Sequence, residues 1–262
     1  MEKGFKARPA KIAGEAGLVG LATLSALFLA IIAVGGAPGR SSHEAVMMNL
    51  RAIDASHAAV QRDVLRARAG LLLSYDPLVE SVVSLRRTAA LLQDMLTPFD
   101  FGLDGSLEQL LDDLQQAINA DEALVEQFKT RNALLQNSIG VFGQTLTALH
   151  QSPRPDVKAV LAEVGDLGNL MMRFSTQADR DGEAAIRTRL QRLMQSAAVY
   201  PALQDIHTLT THARMILAIL PLVDAKVAAV QASGTPARAE TLQGFYLDKA
   251  GQLSARDATS RM

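Results

Sequence analysis

The longest helical pattern of apolar residues in the chain covers residues 106–150, and this pattern limits the possible folds most strongly. An apolar residue recurs at steps of three or four across the segment, which contains no proline. This spacing places one apolar stripe on a helix that begins at Ser106 and ends near His150. At about 1.5 Å per residue, the helix would be roughly 65 Å long. So long a helix predicts an elongated or stacked bundle rather than one thick core.

Shorter segments with the same periodicity lie on both sides of the long helix. They are expected at about 41–74, 77–96, 157–174, 186–197, 206–230 and 237–262. The predicted stripe of the first segment consists of Val46, Leu50, Ile53, His57, Val60, Val64, Ala67 and Leu71. The breaks between segments lie at Tyr75-Asp76-Pro77, Thr97–Gly105, Gln151–Asp156, Asp179–Gly182, Tyr200-Pro201 and Gly234-Thr235-Pro236. No strand pattern of any length occurs. The chain is therefore predicted to be all-α, an elongated antiparallel bundle of two stacked modules. The Tyr75–Pro77 and Tyr200–Pro201 breaks are expected near the changes of bundle.

Composition excludes several classes of function. The chain of 262 residues has a net charge of −1 and no cysteine. No global charge therefore points to nucleic acid, and neither disulfides nor cysteine-ligated zinc can form. The sequence lacks a phosphate-binding glycine loop, a GxSxG nucleophile elbow and an HExxH zinc motif. We therefore expect no enzyme activity, no cofactor and no metal site.

An uncharged segment at 16–38 predicts an N-terminal transmembrane helix, because roughly 20 apolar residues span a bilayer. The preceding tail, residues 1–15, contains Lys3, Lys6, Arg8 and Lys11, so the N-terminus is expected in the cytoplasm. A cleaved signal peptide is the alternative, since small residues follow the apolar run. In both cases the part after Arg40 would be exported. The expected location is the bacterial cytoplasmic membrane, crossed once, with most of the chain in the periplasm.

Two polar residues, Asp121 and Asn132, fall on the apolar stripe of the long helix. A polar residue in a core lowers stability unless it is paired, so each position needs an explanation. One interpretation is that each sets the register between helices. The other is that each points into a small polar cavity, and this is the functional hypothesis for Asn132. Asp121 is expected at a discontinuity of the stripe.

The charged residues near the Tyr75–Pro77 break differ in the direction in which they project from the helix. Arg62 and Arg66 project away from the apolar stripe, whereas Arg68 and Asp63 flank it. Arg68 could therefore reach a pocket at the edge of the bundle, and a solvated charged face is the alternative. Tyr75 is amphipathic and could either contact a ligand or fill the break.

The segments RDVLRARAGLLLSYDPLV at 62–79 and NALLQNSIGVF at 132–142 resemble the exported region of VirA-like sensor histidine kinases. That region is the double all-helical ligand-binding domain, abbreviated DAHL, and the resemblance covers most of 41–262. Among the matching positions are Arg68, Tyr75, Asn132, Gln136 and Asn137. We take these five as the candidate ligand-binding residues.

The resemblance implies the sensory region of a two-component receptor. Such a region would bind a small molecule or a periplasmic sugar-binding protein, and would transmit the signal through small shifts of one helix against another. We also expect a homodimer. The chain departs from the family pattern because it ends at Met262, without a phospho-accepting histidine segment or a nucleotide-binding domain. A stand-alone structural or adaptor protein and the input domain of a chemotaxis-type receptor are the alternatives.

Overall fold

A computed structural model describes residues 40–72, 74–97, 105–176, 178–199 and 204–260. These residues form seven helices, and the prediction of an all-α fold is confirmed for them. The helices are α1 (Arg40–Arg68), α2 (Asp76–Leu96), α3 (Ser106–Gln151), α4 (Pro155–Thr176), α5 (Arg180–Val199), α6 (Gln204–Gln231) and α7 (Thr235–Ser260). The predicted cytoplasmic tail at 1–15 and transmembrane helix at 16–38 lie outside the described residues.

The long helix α3 connects two groups of helices. Its first half packs with α1, α2 and α7, and we call this group the proximal bundle. Its second half packs with α4 and α6, and α5 packs against those two helices; α4, α5 and α6 form the distal bundle with this half of α3. The chain returns from the distal to the proximal bundle through α6 and then α7, which both lie against α3. Two long antiparallel paths, α3 and α6–α7, therefore run through both bundles.

The apolar stripe of α3 faces the core along the whole helix, as its spacing of three and four residues predicts. Its buried side chains are Leu107, Leu114, Ile118, Asp121, Val125, Phe128, Asn132, Leu135, Ser138, Phe142 and Leu149. The two predicted polar positions are thus part of the core. Asp121 lies within the proximal bundle, and Asn132 lies where the two bundles meet.

Helix α1 ends six residues earlier than the sequence pattern predicts. Gly70 has a φ of 71°, and its N–H donates to the carbonyl oxygen of Ala67 at 3.1 Å. The N–H of Leu71 donates to the carbonyl oxygen of Arg66 at 2.9 Å. These two bonds form the Schellman motif that closes many helices at a glycine. The prediction that Leu71 continues the stripe of α1 is wrong, since 68% of this side chain is exposed.

The second predicted change of bundle is also misplaced. Residues 200–203, which include the Tyr200-Pro201 break, lie outside the described residues. The flanking helices α5 and α6 pack against each other in the distal bundle, so the chain does not change bundle between them. The change occurs instead between Gln231 and Thr235, where α6 ends and α7 begins.

One stretch of the described residues, Gln204–Arg256, is long and apolar enough to cross a membrane by length and composition alone. The core-facing side chains of its first helix, α6, are packed within the bundle. Leu209, Leu220 and Val223 are each 0% exposed. We therefore describe α6 as a core helix of the distal bundle.

Candidate functional site at the junction of the bundles

Asn132 binds the end of α1 from the middle of α3. The side chain is 1% exposed, and its Nδ2 donates to the carbonyl oxygen of Ala67 at 3.1 Å and to the hydroxyl of Tyr75 at 3.0 Å. Its Oδ1 is buried and accepts no hydrogen bond from the described residues. Asn132 therefore fixes the register between α1 and α3, and it keeps one unused acceptor at the junction of the bundles.

Gln136 lies one helical turn beyond Asn132 and binds the same end of α1. Its Nε2 donates to the carbonyl oxygen of Arg68 at 3.3 Å. The last carbonyl groups of a helix have no partner within the helix and need one from elsewhere. Side chains of α3 provide that partner here, so the C-terminus of α1 is capped by another helix.

Arg68 extends this contact to the distal bundle. Its Nε donates to Asp224 Oδ1 of α6 at 2.6 Å, and its Nη2 lies 3.4 Å from Asp224 Oδ2. Nη2 also donates to the carbonyl oxygen of Ser175, at the end of α4, at 3.4 Å. A cation is favourable at a helix C-terminus because carbonyl groups point outward there. One side chain thus joins the last turns of α1 and α4 to α6.

The structure brings together four of the five predicted ligand-binding residues. Asn132 binds the hydroxyl of Tyr75, and Gln136 binds the backbone of Arg68. We call these four residues, together with Asp224, the junction cluster. Asn137 is exposed on the surface of α3 and lies outside this cluster. Three grooves on the described surface are lined by other side chains. The smallest of them, about 360 Å³, is lined by Phe174 and Thr176, which flank the Ser175 that Arg68 contacts.

A second polar cluster surrounds Asp121 in the proximal bundle. Asp121 is 2% exposed, and its Oδ2 accepts hydrogen bonds from Ser233 Oγ at 2.8 Å and from Thr235 Oγ1 at 2.7 Å. His57 Nε2 of α1 lies 3.3 Å from the same oxygen. We call these four residues the Asp121 cluster. It joins α1 and α3 to the short connection between α6 and α7.

The pKa of Asp121 reflects this environment. Burial raises the pKa of a carboxyl group, but contacts with His57, Ser233 and Thr235 stabilise the ionised form more strongly. The net effect holds the pKa of Asp121 below its ordinary value of 3.8. Asp121 is therefore a buried carboxylate that stays charged at neutral pH, and the α6–α7 connection is bound to it.

A comparison with known protein families identifies the family of this chain. The DAHL domain family matches residues 39–261. The chain belongs to the DAHL family. DAHL domains are sensory helical domains of signalling proteins. No catalytic domain was detected in the chain, and no solved structure matches it. The matched residues cover both bundles, so the junction cluster and the Asp121 cluster both lie inside the DAHL domain.

One polar position of the DAHL domain was not recognised from the sequence. Asp63 was expected beside the stripe of α1, yet it is 1% exposed. Ser81 Oγ of α2 donates to it at 2.9 Å, and Arg62 and Arg66 cover it from the solvent side. Burial raises its pKa, whereas the bonds from Arg62 and Ser81 and the charge of Arg66 lower it, and the net pKa is lowered. The signal in the sequence was the pair of arginines around one aspartate.

Proposed function

We propose that this DAHL domain is the extracytoplasmic sensory region of a receptor anchored in the bacterial cytoplasmic membrane, acting in two-component signalling. The observation that carries the proposal is the position of the first and last helices. His43, near the start of α1, stacks on Tyr246 of α7 with ring centroids 5.5 Å apart. The start of α1 and the middle of α7 therefore lie side by side. The uncharged segment at 16–38 precedes α1 directly, which would place this end of the proximal bundle at the membrane.

The proposed signal is a shift of helices along the two long paths. A ligand in the distal bundle would move α6 against α3 by roughly an ångström or two, as helices do in other switches. The Asp121 cluster joins the end of α6 to α3 and α7, so the shift would reach Tyr246 of α7, beside His43. The connection at Ser233 and Thr235 is thus the point at which the signal would pass between the bundles.

The proposed stimulus is a small molecule, bound directly or presented by a periplasmic sugar-binding protein. Arg68, Tyr75, Asn132 and Gln136 bind one another in the structure, so a ligand at the junction would have to replace some of these bonds. Arg68 is the best placed for this exchange, because it contacts Ser175 beside the groove of about 360 Å³. Asn137 would contact a partner only on the outer surface of α3.

A homodimer remains part of the proposal, and one surface favours it. Val79, Val83 and Leu91 lie on one side of α2 and are 39%, 45% and 49% exposed. A second copy of the chain could cover this surface. Sedimentation of the full chain in detergent measures the assembly state, and a strictly monomeric chain would argue against the dimer. A tight assembly that no small molecule affects would favour the adaptor function instead.

A reporter fusion tests the proposed location. Alkaline phosphatase, which is active only after export, is joined behind Met262 of the full chain. We expect an active, membrane-bound fusion, and an inactive soluble fusion when 1–38 is deleted. An active fusion released as a soluble protein would indicate a cleaved signal peptide. An inactive fusion of the intact chain would contradict the extracytoplasmic location.

Thermal unfolding tests the sensory function. A ligand that binds the folded state raises its melting temperature by mass action. We expect at least one compound in a panel of sugars, amines and organic acids, or a purified sugar-binding protein, to raise the melting temperature of the full chain. The Arg68→Ala variant should respond less if the ligand binds at the junction. No rise with any member of the panel would contradict ligand sensing.

A further inference from the structure

A groove of about 570 Å³ lies between α1 and α7 in the proximal bundle, away from the junction cluster. Asp54, His57 and Gln61 line it from α1, and Glu240 and Gln243 line it from α7. This volume is within the range of small-molecule sites, at about 300–1,000 Å³. The groove is open along one side, so a ligand could enter without a large change of the bundle.

The charge of the groove is acidic. Asp54 and Glu240 face each other from different helices, and neither has an ion-pair partner among the described residues. Burial raises the pKa of Asp54; His57 lowers it and Glu240 raises it, and the net direction is upward. A cation placed between two facing carboxylates is attracted by both of them. The chemistry of the groove therefore favours a positively charged ligand.

An organic cation fits the lining better than a metal ion. In the parts of the chain that the structure describes, no three histidine or acidic side chains come close enough to hold a metal. The groove, at about 570 Å³, is much larger than a single ion, and Ala58 and Leu247 give it apolar surface beside the carboxylates. The amide groups of Gln61 and Gln243 add hydrogen-bonding atoms. An aliphatic amine would place its ammonium group near Asp54 and Glu240 and its methylene groups on Leu247.

His57, which lines the groove, links it to the α6–α7 connection. His57 is 1% exposed, and its Nε2 contacts Asp121, which in turn binds Ser233 and Thr235. That Nε2 has no hydrogen-bond partner of good geometry within the described residues. A small movement of α1 or α7 could therefore improve or break the contact between His57 and Asp121.

Gln61 makes a second connection to the same place. Its Nε2 donates to the carbonyl oxygens of Val230 at 3.4 Å and Gln231 at 3.2 Å, in the last turn of α6. Gln231 Nε2 donates in return to the carbonyl oxygen of Gln61 at 3.1 Å. Two lining residues of the groove are thus bonded to the segment that joins the bundles.

We propose that the α1/α7 groove binds a small aliphatic amine, and that His57 and Gln61 couple its occupancy to the α6–α7 connection. The signalling consequence of this coupling rests on the sensory function proposed above, whereas the binding does not. Occupancy would draw α1 and α7 together around the ammonium group and hold the end of α6 in one position.

Calorimetry on the full chain in detergent tests the binding, with putrescine as the probe and the four-carbon diol of the same length as its neutral control. We expect saturable binding of putrescine that weakens at high salt, and no binding of the diol. Asp54→Asn and Glu240→Gln should each weaken putrescine binding about fivefold, the effect of losing one partly exposed ion pair. The matched neutralisations Glu44→Gln and Asp248→Asn, at exposed positions of the same helices outside the groove, should leave it unchanged.

Amide hydrogen exchange tests the coupling. We expect putrescine to slow exchange at 231–235, and Gln61→Leu to abolish this effect while putrescine still binds. Absence of putrescine binding, or equal weakening by the groove and control variants, would overturn the proposed site. Unchanged exchange in the bound protein would overturn the coupling. If putrescine fails to bind while another compound of the panel stabilises the chain, this inference fails and the sensory function stands.

Discussion

Arg68 Nε donates to Asp224 Oδ1 at 2.6 Å, which joins the last residue of α1 to α6 across 156 positions of the sequence. Arg68 is 20% exposed and Asp224 is 44% exposed, so solvent screens the pair only in part. This contact holds the end of α1 in the proximal bundle to α6 of the distal bundle. Its energetic contribution can be measured directly.

A double-mutant cycle measures that contribution. Arg68→Ala and Asp224→Ala, made singly and together, should show a coupling free energy of about 0.5–1 kcal/mol in urea unfolding, the upper range for a partly exposed pair. The coupling should decrease at high salt because ions screen exposed charges. The exposed pair Arg187 and Glu183 on α5 is the control and should couple more weakly. A coupling of zero for Arg68 and Asp224 would show that the contact contributes nothing to holding the bundles together.

Asn132→Ala removes the hydrogen bonds to Ala67 and Tyr75. The carbonyl oxygen of Ala67 keeps its bond from Gly70, but the hydroxyl of Tyr75 loses its bond from Asn132 at the junction, so we expect a loss of about 1–2 kcal/mol of unfolding free energy. Asn137→Ala, five positions along the same helix on the exposed side, should stay within about 0.5 kcal/mol of the parent. Equal effects of the two substitutions would contradict the role of Asn132 in the core.

Gly70→Ala should destabilise the chain by about 1 kcal/mol, because the backbone of a residue with a Cβ atom is strained at a φ of 71°. Crowding is not the cause, since an added Cβ would meet Gln136 Oε1 at an ordinary 3.5 Å. Gly140→Ala in the exposed middle of α3 should have the opposite sign and stabilise by up to about 1 kcal/mol. Urea unfolding of the two variants decides this, and a stabilising Gly70→Ala would show that α1 does not end in the described turn.

The free energy of unfolding should decrease at acidic pH because Asp63 and Asp121 become protonated. Both carboxyl groups have a folded-state pKa below the ordinary value of 3.8. Their contribution is therefore present above pH 3.8 and is lost as the pH falls below that value towards the folded-state pKa. Asp121→Asn should flatten the acid limb of the unfolding free energy, whereas the exposed Asp248→Asn should leave it unchanged. An acid limb that is identical in the parent and Asp121→Asn would contradict the ionised state of Asp121.

The helices and most of their buried positions follow from local periodicity. Val46, Leu50, Ile53 and Val60 were predicted on the stripe of α1 and are each at most 1% exposed. The prediction fails at Leu71, because a single glycine in the left-handed conformation ended the helix before the stripe was complete. Periodicity reports which face of a helix is apolar, but it does not report where a residue with free φ will stop that helix.

The polar clusters could be predicted only in part. Asn132 and Asp121 were recognisable because each interrupts an apolar stripe. Their partners were not, because Thr235 lies 114 positions from Asp121 and Tyr75 lies 57 positions from Asn132. Such pairs arise only when two distant segments are packed against the same helix. Thr235 appeared in the sequence merely as part of a break before Pro236.

The most direct test of transmission through the α6–α7 connection is the signalling output after this connection is changed. The full chain is joined to the second membrane helix and kinase of a characterised sensor, and autophosphorylation is measured in membranes. Replacement of Gly234, Thr235 and Pro236 by alanine removes a bond to Asp121 and should change the output by at least about fivefold, the lower range of coupling between sites. Alanine at the exposed positions Thr241, Asp248 and Gln252 of α7 should leave it unchanged. Normal export with unchanged output in the first variant would contradict transmission through this connection.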